Sequence, residues 1–76
     1  MKEVLEVIIK NLVSNPESVT INEKIEERNV RYEVTVAESD MGKVIGKQGK
    51  IAKSIRSVMK SIAVKEQKRV TIEFLG

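Results

Sequence analysis

The chain of 76 residues has no cysteine, no histidine, no tryptophan, a single proline and only two aromatic rings, Tyr32 and Phe74. Each scarcity removes something. Without cysteine there is neither a disulfide nor a thiolate metal site to staple the fold. Without histidine the chain lacks the usual general base near neutral pH and the commonest zinc ligand. No metal, cofactor or small-molecule substrate is therefore expected. No apolar run approaches the roughly 18 residues of a membrane span. Met1-Lys2-Glu3 leads into an amphipathic segment, not the apolar core of a signal peptide. A soluble, cytoplasmic protein is the expectation. The length suits one domain over residues 1–76. Domains of about 60 residues bury only about 60% of their unfolded surface, so stability has to come from packing, with help from self-association.

Charge is present in quantity and unevenly. The net charge is +3, but residues 1–38 hold five Lys/Arg against eight Asp/Glu, while residues 39–76 hold nine against three. A basic half beside an acidic half suits a polyanion-binding face, although a solvated surface can segregate its charges in the same way.

Residues 3–13 place Val4, Leu5, Ile8, Ile9, Leu12 and Val13 at helical spacing, and Asn15-Pro16 stops the helix. Residues 19–27 read as a strand with Val19, Ile21 and Ile25 on one face. Residues 30–37 alternate strictly through Val30, Tyr32, Val34 and Val36. Glu27-Arg28-Asn29 joins the two as a hairpin turn, with Asn29 the residue most tolerant of positive φ. Ser39-Asp40 reads as an N-cap for a short helix carrying Met41, Val44 and Ile45, which Gly46 ends. A longer helix follows from about Lys50 to Val64, with the stripe Ile51, Ile55, Val58 and Ile62. A last strand, residues 69–75, turns Val70, Ile72 and Phe74 to one side. A strand returning after a helical crossover lies parallel to the strand before it. The expected fold is α+β, in the order α-β-β-α-α-β, with three helices on one face of a three-stranded mixed sheet.

The chemistry concentrates between the two later helices. Gly46 and Gly49 bracket a two-residue turn, where missing Cβ atoms permit unusual dihedrals and close approach of another backbone. The turn feeds the N-terminus of the long helix, a place suited to phosphate. Lys47 lies inside the loop and is the candidate for direct phosphate contact. Lys43, Lys50, Lys53 and Arg56 surround it and would supply attraction and counterion release. Val44, Ile45 and Ile51 are too apolar for a solvated loop, so some belong to the core and one or two line a shallow groove. A bare G-x-x-G is as easily a plain helix connection. The extended pattern Val-Ile-Gly-x-x-Gly-x-Ile with flanking lysines is more specific. A Walker loop would need G-x-x-x-x-G-K-[ST], which Gly42, Gly46 and Gln48 do not supply. A dinucleotide fingerprint would follow a strand directly. No acid, base or nucleophile accompanies the loop, since Asp40 is read as a cap, so catalysis is not expected.

The segment Gly42-Lys43-Val44-Ile45-Gly46-Lys47-Gln48-Gly49-Lys50-Ile51 resembles the signature of KH domains. The element order is similar to the type II, prokaryotic form. The Asn-Pro-Glu stop, the Asp-Met-Gly-Lys-Val-Ile-Gly-Lys-Gln-Gly run and the closing Lys-Arg-Val-Thr-Ile-Glu strand resemble the KhpA family of small bacterial stand-alone KH proteins. The resemblance covers nearly the whole chain. It implies single-stranded RNA as ligand and a role as RNA chaperone or post-transcriptional regulator. It also implies a homodimer or a larger KhpB-like RNA-binding partner, and a link to cell elongation and envelope homeostasis. By the same resemblance Gly46, Lys47, Gln48 and Gly49 match the backbone-clamping loop, and Val44, Ile45 and Ile51 the apolar positions around the groove.

One KH module holds only about four nucleotides, so tight binding would need a second copy or a partner. Tyr32 alternates with aliphatics and reads as core, which leaves backbone grip and an aliphatic groove in place of ring stacking. Two other readings stay open. The wide apolar stripe of the first helix could belong to a protein-interaction module whose loop is only structural, and the same groove could hold single-stranded DNA.

Overall fold

The computed structural model describes residues 1–75. Helix α1 spans Lys2–Leu12, with Glu3 in its first turn and Lys10 in its last, each opposite in sign to the helix end beside it. A single 3-10 turn, Pro16–Ser18, follows. Strand β1 is Thr20–Glu26 and β2 is Asn29–Thr35, paired antiparallel with Ile21 opposite Val34 and Glu26 opposite Asn29. Helix α2 is Met41–Ile45 and α3 is Lys50–Lys65. Strand β3, Arg69–Leu75, pairs parallel with β2, Val30 opposite Val70 and Val34 opposite Phe74. The sheet order is β1-β2-β3, so β2 is central and the crossover through α2 and α3 brings the chain back beside it. This is the type II KH arrangement: a three-stranded mixed sheet with three helices against one face.

The alternation in β2 has the expected result. Val30, Tyr32 and Val34 are buried, as is Val36 just beyond the strand, and they meet Leu5 and Ile9 of α1, Val44 of α2 and Ile55 and Met59 of α3. The Tyr32 hydroxyl donates to Glu23 Oε2 at 2.7 Å, which gives the buried ring a partner for its polar end.

Four local expectations are corrected. The buried stripe of α3 is Ala52, Ile55, Met59 and Ala63, while Val58 is 46% exposed and Ile51 and Ile62 are half-buried. The buried line runs through the small Ala52 and Ala63, which shifts it one residue away from the most hydrophobic line at those positions. Ile25 is 61% exposed, because it lies at the hairpin end of an edge strand with nothing flanking it beyond. The hairpin has two turn residues, Glu27 and Arg28, and it is Glu27 that takes positive φ (57°), Asn29 already being the first residue of β2.

The fourth concerns Asp40. It makes no side-chain cap on α2. It is buried and accepts hydrogen bonds from the backbone N–H groups of Ser14 (3.1 Å) and Asn15 (3.0 Å), so it straps the exit of α1 to the start of α2. The Ser14 N–H is the largest influence holding its carboxyl below the ordinary range, against the opposing effect of burial.

Candidate nucleic-acid interface

The loop between α2 and α3 is built on three residues of positive φ. Gly46 stands at φ 74°, ψ 177°, a region essentially closed to other residues. A Cβ there would lie 2.6 Å from Ile51 Cγ1, so the site excludes a side chain by space as well as by dihedral. Gln48 (φ 55°, ψ 28°) and Gly49 (φ 72°, ψ 16°) are both left-handed, and the Lys50 N–H donates to the Lys47 carbonyl. Those angles and that bond describe a type I′ turn over Lys47-Gln48-Gly49-Lys50. The turn holds Lys47 and Gln48 exposed at its tip, directly before the N-terminus of α3. Gly42, by contrast, is an ordinary helical residue.

The residues singled out in the sequence do not all face one way. Val44 is fully buried and is a core residue that cannot line a groove. Ile45 and Ile51 are half-buried, Ile51 packing under Gly46. Lys43 is engaged: its Nζ lies 3.4 Å from Asp40 Oδ1 and donates to Ser14 Oγ, so its charge is largely answered inside the protein. Lys47, Lys50, Lys53 and Arg56 form no ion pair among the described residues.

Helix α3 has two flanks. On the side of α1 lies an apolar groove lined by Ile8, Leu12, Ile51, Ile55 and Val58, with Lys50 and Ser54 at its rim. It continues through Ile8 to Val4 and Val7, which are 41% and 61% exposed. On the other side α3 faces β3. The Arg69 N–H donates to the Arg28 carbonyl, so the odd-numbered residues of β3 pair with β2, and Val70, Ile72 and Phe74 aim their backbone groups at the open edge. Arg56 covers part of that edge. Its Nε donates to the Ile72 carbonyl at 3.3 Å and its guanidinium sits 5.5 Å from the centre of the Phe74 ring. Lys60, one turn on, lines the same groove with Val70 and Thr71. Lys60 escaped the sequence reading, although its spacing from Lys53 and Arg56 at i+7 and i+4 was available as a signal.

No helix among the described residues is long and apolar enough to cross a membrane. The sequence profile of the family described as "KhpA/KhpB, KH domain" matches residues 2–74. The RNA-binding protein KhpA of Clostridium perfringens is 52% identical over 75 residues, covering 99% of this chain and 100% of the relative. The protein of the same name from Clostridium acetobutylicum is 53% identical over 75 residues with the same coverage. That of Listeria monocytogenes is 39% identical over 99% of each chain. A full-length profile match together with relatives of this identity and coverage leaves one conclusion: the chain belongs to the KhpA/KhpB family of KH-domain proteins.

Proposed function

We propose that the protein is a single-stranded RNA-binding protein of the cytoplasm that grips the RNA backbone with the Gly46-Lys47-Gln48-Gly49 turn. The observation that carries this is the turn itself: a left-handed corner at a helix N-terminus, with a lysine at its tip that forms no ion pair among the described residues. Backbone N–H groups and the positive helix end favour a phosphate there, and Lys47 reaches it as a point charge. The strand would leave the turn along the β3 flank, where Lys53, Arg56 and Lys60 run beside open backbone donors and acceptors. Those open groups are what an unstacked base edge can bond to. With no exposed ring platform, sequence preference is weak and affinity falls steeply with salt. The names of the relatives support RNA as the ligand, and residues 1–76 act as one KH unit. The work is binding and not catalysis, in keeping with an RNA chaperone or post-transcriptional regulator. The link to cell elongation and envelope homeostasis then runs through the RNAs that it holds.

The apolar flank supports a second, compatible role. The strip from Val4 through Ile8 and Leu12 to Val58 fits a second copy of the chain, or the KH domain of a KhpB-like partner. Pairing multiplies a weak clamp of about four nucleotides by effective concentration.

The test is fluorescence anisotropy with short single-stranded RNA and DNA at two salt concentrations, comparing the native chain with a Lys47→Asp, Gln48→Asp double variant of native circular dichroism. Loss of RNA binding in the variant is expected. Equal binding by both proteins would reject the clamp, and equal binding of DNA would widen the ligand to single strands in general.

A further inference from the structure

The groove between α3 and the edge of β3 does not stop at Lys60. The hollow lined by Arg56, Lys60, Val70 and Thr71 shares Lys60, Val70 and Thr71 with a second hollow that reaches Lys68 and Arg69. That hollow shares Asn29, Lys68 and Arg69 with a third, which opens onto Arg28 of the β1–β2 turn. The three form one continuous channel from the middle of α3 to the end of the molecule opposite the Gly46–Gly49 turn. Arg28, Lys60, Lys68 and Arg69 line its lower half, against Glu27 as the one lining carboxylate.

The ordinary explanation for basic residues here is compensation of the negative end of α3. The structure meets that need by other means. The carbonyls of Ile62, Ala63 and Val64 are capped by the N–H groups of Glu66, Gln67 and Lys68. The only side-chain ion pair on these cations among the described residues is Lys68–Glu66, at a loose 3.9 Å. Arg28 and Arg69 are instead brought together by the backbone: the Arg69 N–H to Arg28 carbonyl bond of 2.8 Å joins the β1–β2 turn to the start of β3. Two turns each held by a residue of positive φ, Glu27 (57°) and Gln67 (58°), thus present the cations side by side.

We propose that Arg28, Lys68 and Arg69 form a second phosphate-binding site, which engages the RNA strand after it has passed down the α3–β3 channel from the loop. This rests on the loop being the RNA clamp and extends it. The 16 residues of α3 set the two ends about 24 Å apart at 1.5 Å per residue, farther than the internucleotide phosphates of a four-nucleotide strand held at the loop can reach. The second site therefore acts only on longer strands. It makes the protein a reader of strand length, favouring unpaired RNA long enough to span both ends.

The experiment measures binding of two labelled oligouridylates over a salt series. One has about four nucleotides, the span a KH loop clamps. The other has roughly sixteen, the upper site size of single-strand folds. The triple variant Arg28→Gln, Lys68→Gln, Arg69→Gln should bind the short RNA as the native chain does. For the long RNA it should lose affinity, with a log–log salt slope shallower by about 2, because each phosphate contact on a single strand contributes about 0.7. Arg28→Gln alone, on an exposed turn, should give about a third of that change. A control that neutralises Lys2, Lys10 and Lys24 removes the same charge elsewhere. The inference is overturned if the long RNA is unaffected by the triple variant, if both RNAs lose affinity equally, or if the control lowers the slope as much. Failure of the clamp itself looks different: the Lys47→Asp, Gln48→Asp variant would then still hold the short RNA.

Discussion

The two flanks of α3 differ in chemistry although they share one helix. Toward α1, Leu12, Ile51 and Val58 leave an apolar channel with a single lysine at its rim. Toward β3, Arg56 and Lys60 stand over an unpaired strand edge. A helix of simple amphipathic pattern would have one wet face and one dry one. Here the buried line through Ala52, Ile55, Met59 and Ala63 separates two half-exposed margins, one suited to protein and one to a polyanion. Under the proposed function, that division would let a partner hold the apolar margin and RNA the basic one, each without displacing the other.

The sharpest way to break the distinction is at its common origin. Gly46→Ala combines a dihedral cost with a clash on Ile51, whose side chain lies within 3 Å of the added methyl. Strain and overpacking each cost about 1–3 kcal/mol, so a loss of roughly 2–4 kcal/mol is expected in urea unfolding, with RNA binding lost as well. Next in size is the apolar flank. Burying a valine contributes about 1.5–3 kcal/mol, so Val58→Glu should weaken self-association at least roughly tenfold in analytical ultracentrifugation. Affinity for a short RNA should not change, and a parallel loss there would merge the two flanks into one.

On the basic flank, Arg56 and Lys60 are expected to separate. Arg56→Ala removes a cation over Phe74 and a bond to the Ile72 carbonyl, for about 1 kcal/mol of stability, together with part of the RNA salt dependence. Lys60→Ala should lower RNA affinity alone, with stability unchanged to within about 0.5 kcal/mol.

The smallest effect is bounded by pH. Asp40 has its folded-state pKa lowered from an ordinary 3.8, so its contribution is present above that value and fades as pH falls through the folded one. Asp40→Asn should unfold at lower urea than the native chain at neutral pH, and the difference should close under acid. A constant gap down to low pH would mean that the strap does not depend on ionisation.

The elements of this fold were legible because each is periodic, with Pro16 following α1 and Gly46 and Gly49 marking the break between α2 and α3. The same local logic failed wherever a partner distant in sequence decided the outcome. Ser39-Asp40 has the composition of a cap, but two N–H groups left open after α1, 25 and 26 residues away, claimed the carboxylate first. Val58 outranks Ala52 in hydrophobicity, yet it is Ala52 that the fold buries. The Gly46–Gly49 loop could be read at its glycines, whereas the left-handed Gln48 carries no sign in its residue type. Lys43 and Lys47 look alike on the page of letters, and only the buried Asp40 distinguishes an occupied charge from an available one.

The hydrogen bond from Tyr32 to Glu23 has an optical consequence. With no tryptophan and one tyrosine, the chain's intrinsic emission comes from a single ring at the centre of its sheet. Burial first, and the Glu23 carboxylate second, keep that phenol un-ionised well above its ordinary 10.0. Folded molecules are then silent in the tyrosinate band at moderately alkaline pH, and unfolded ones are not. The protein carries a built-in, label-free counter of its own unfolding.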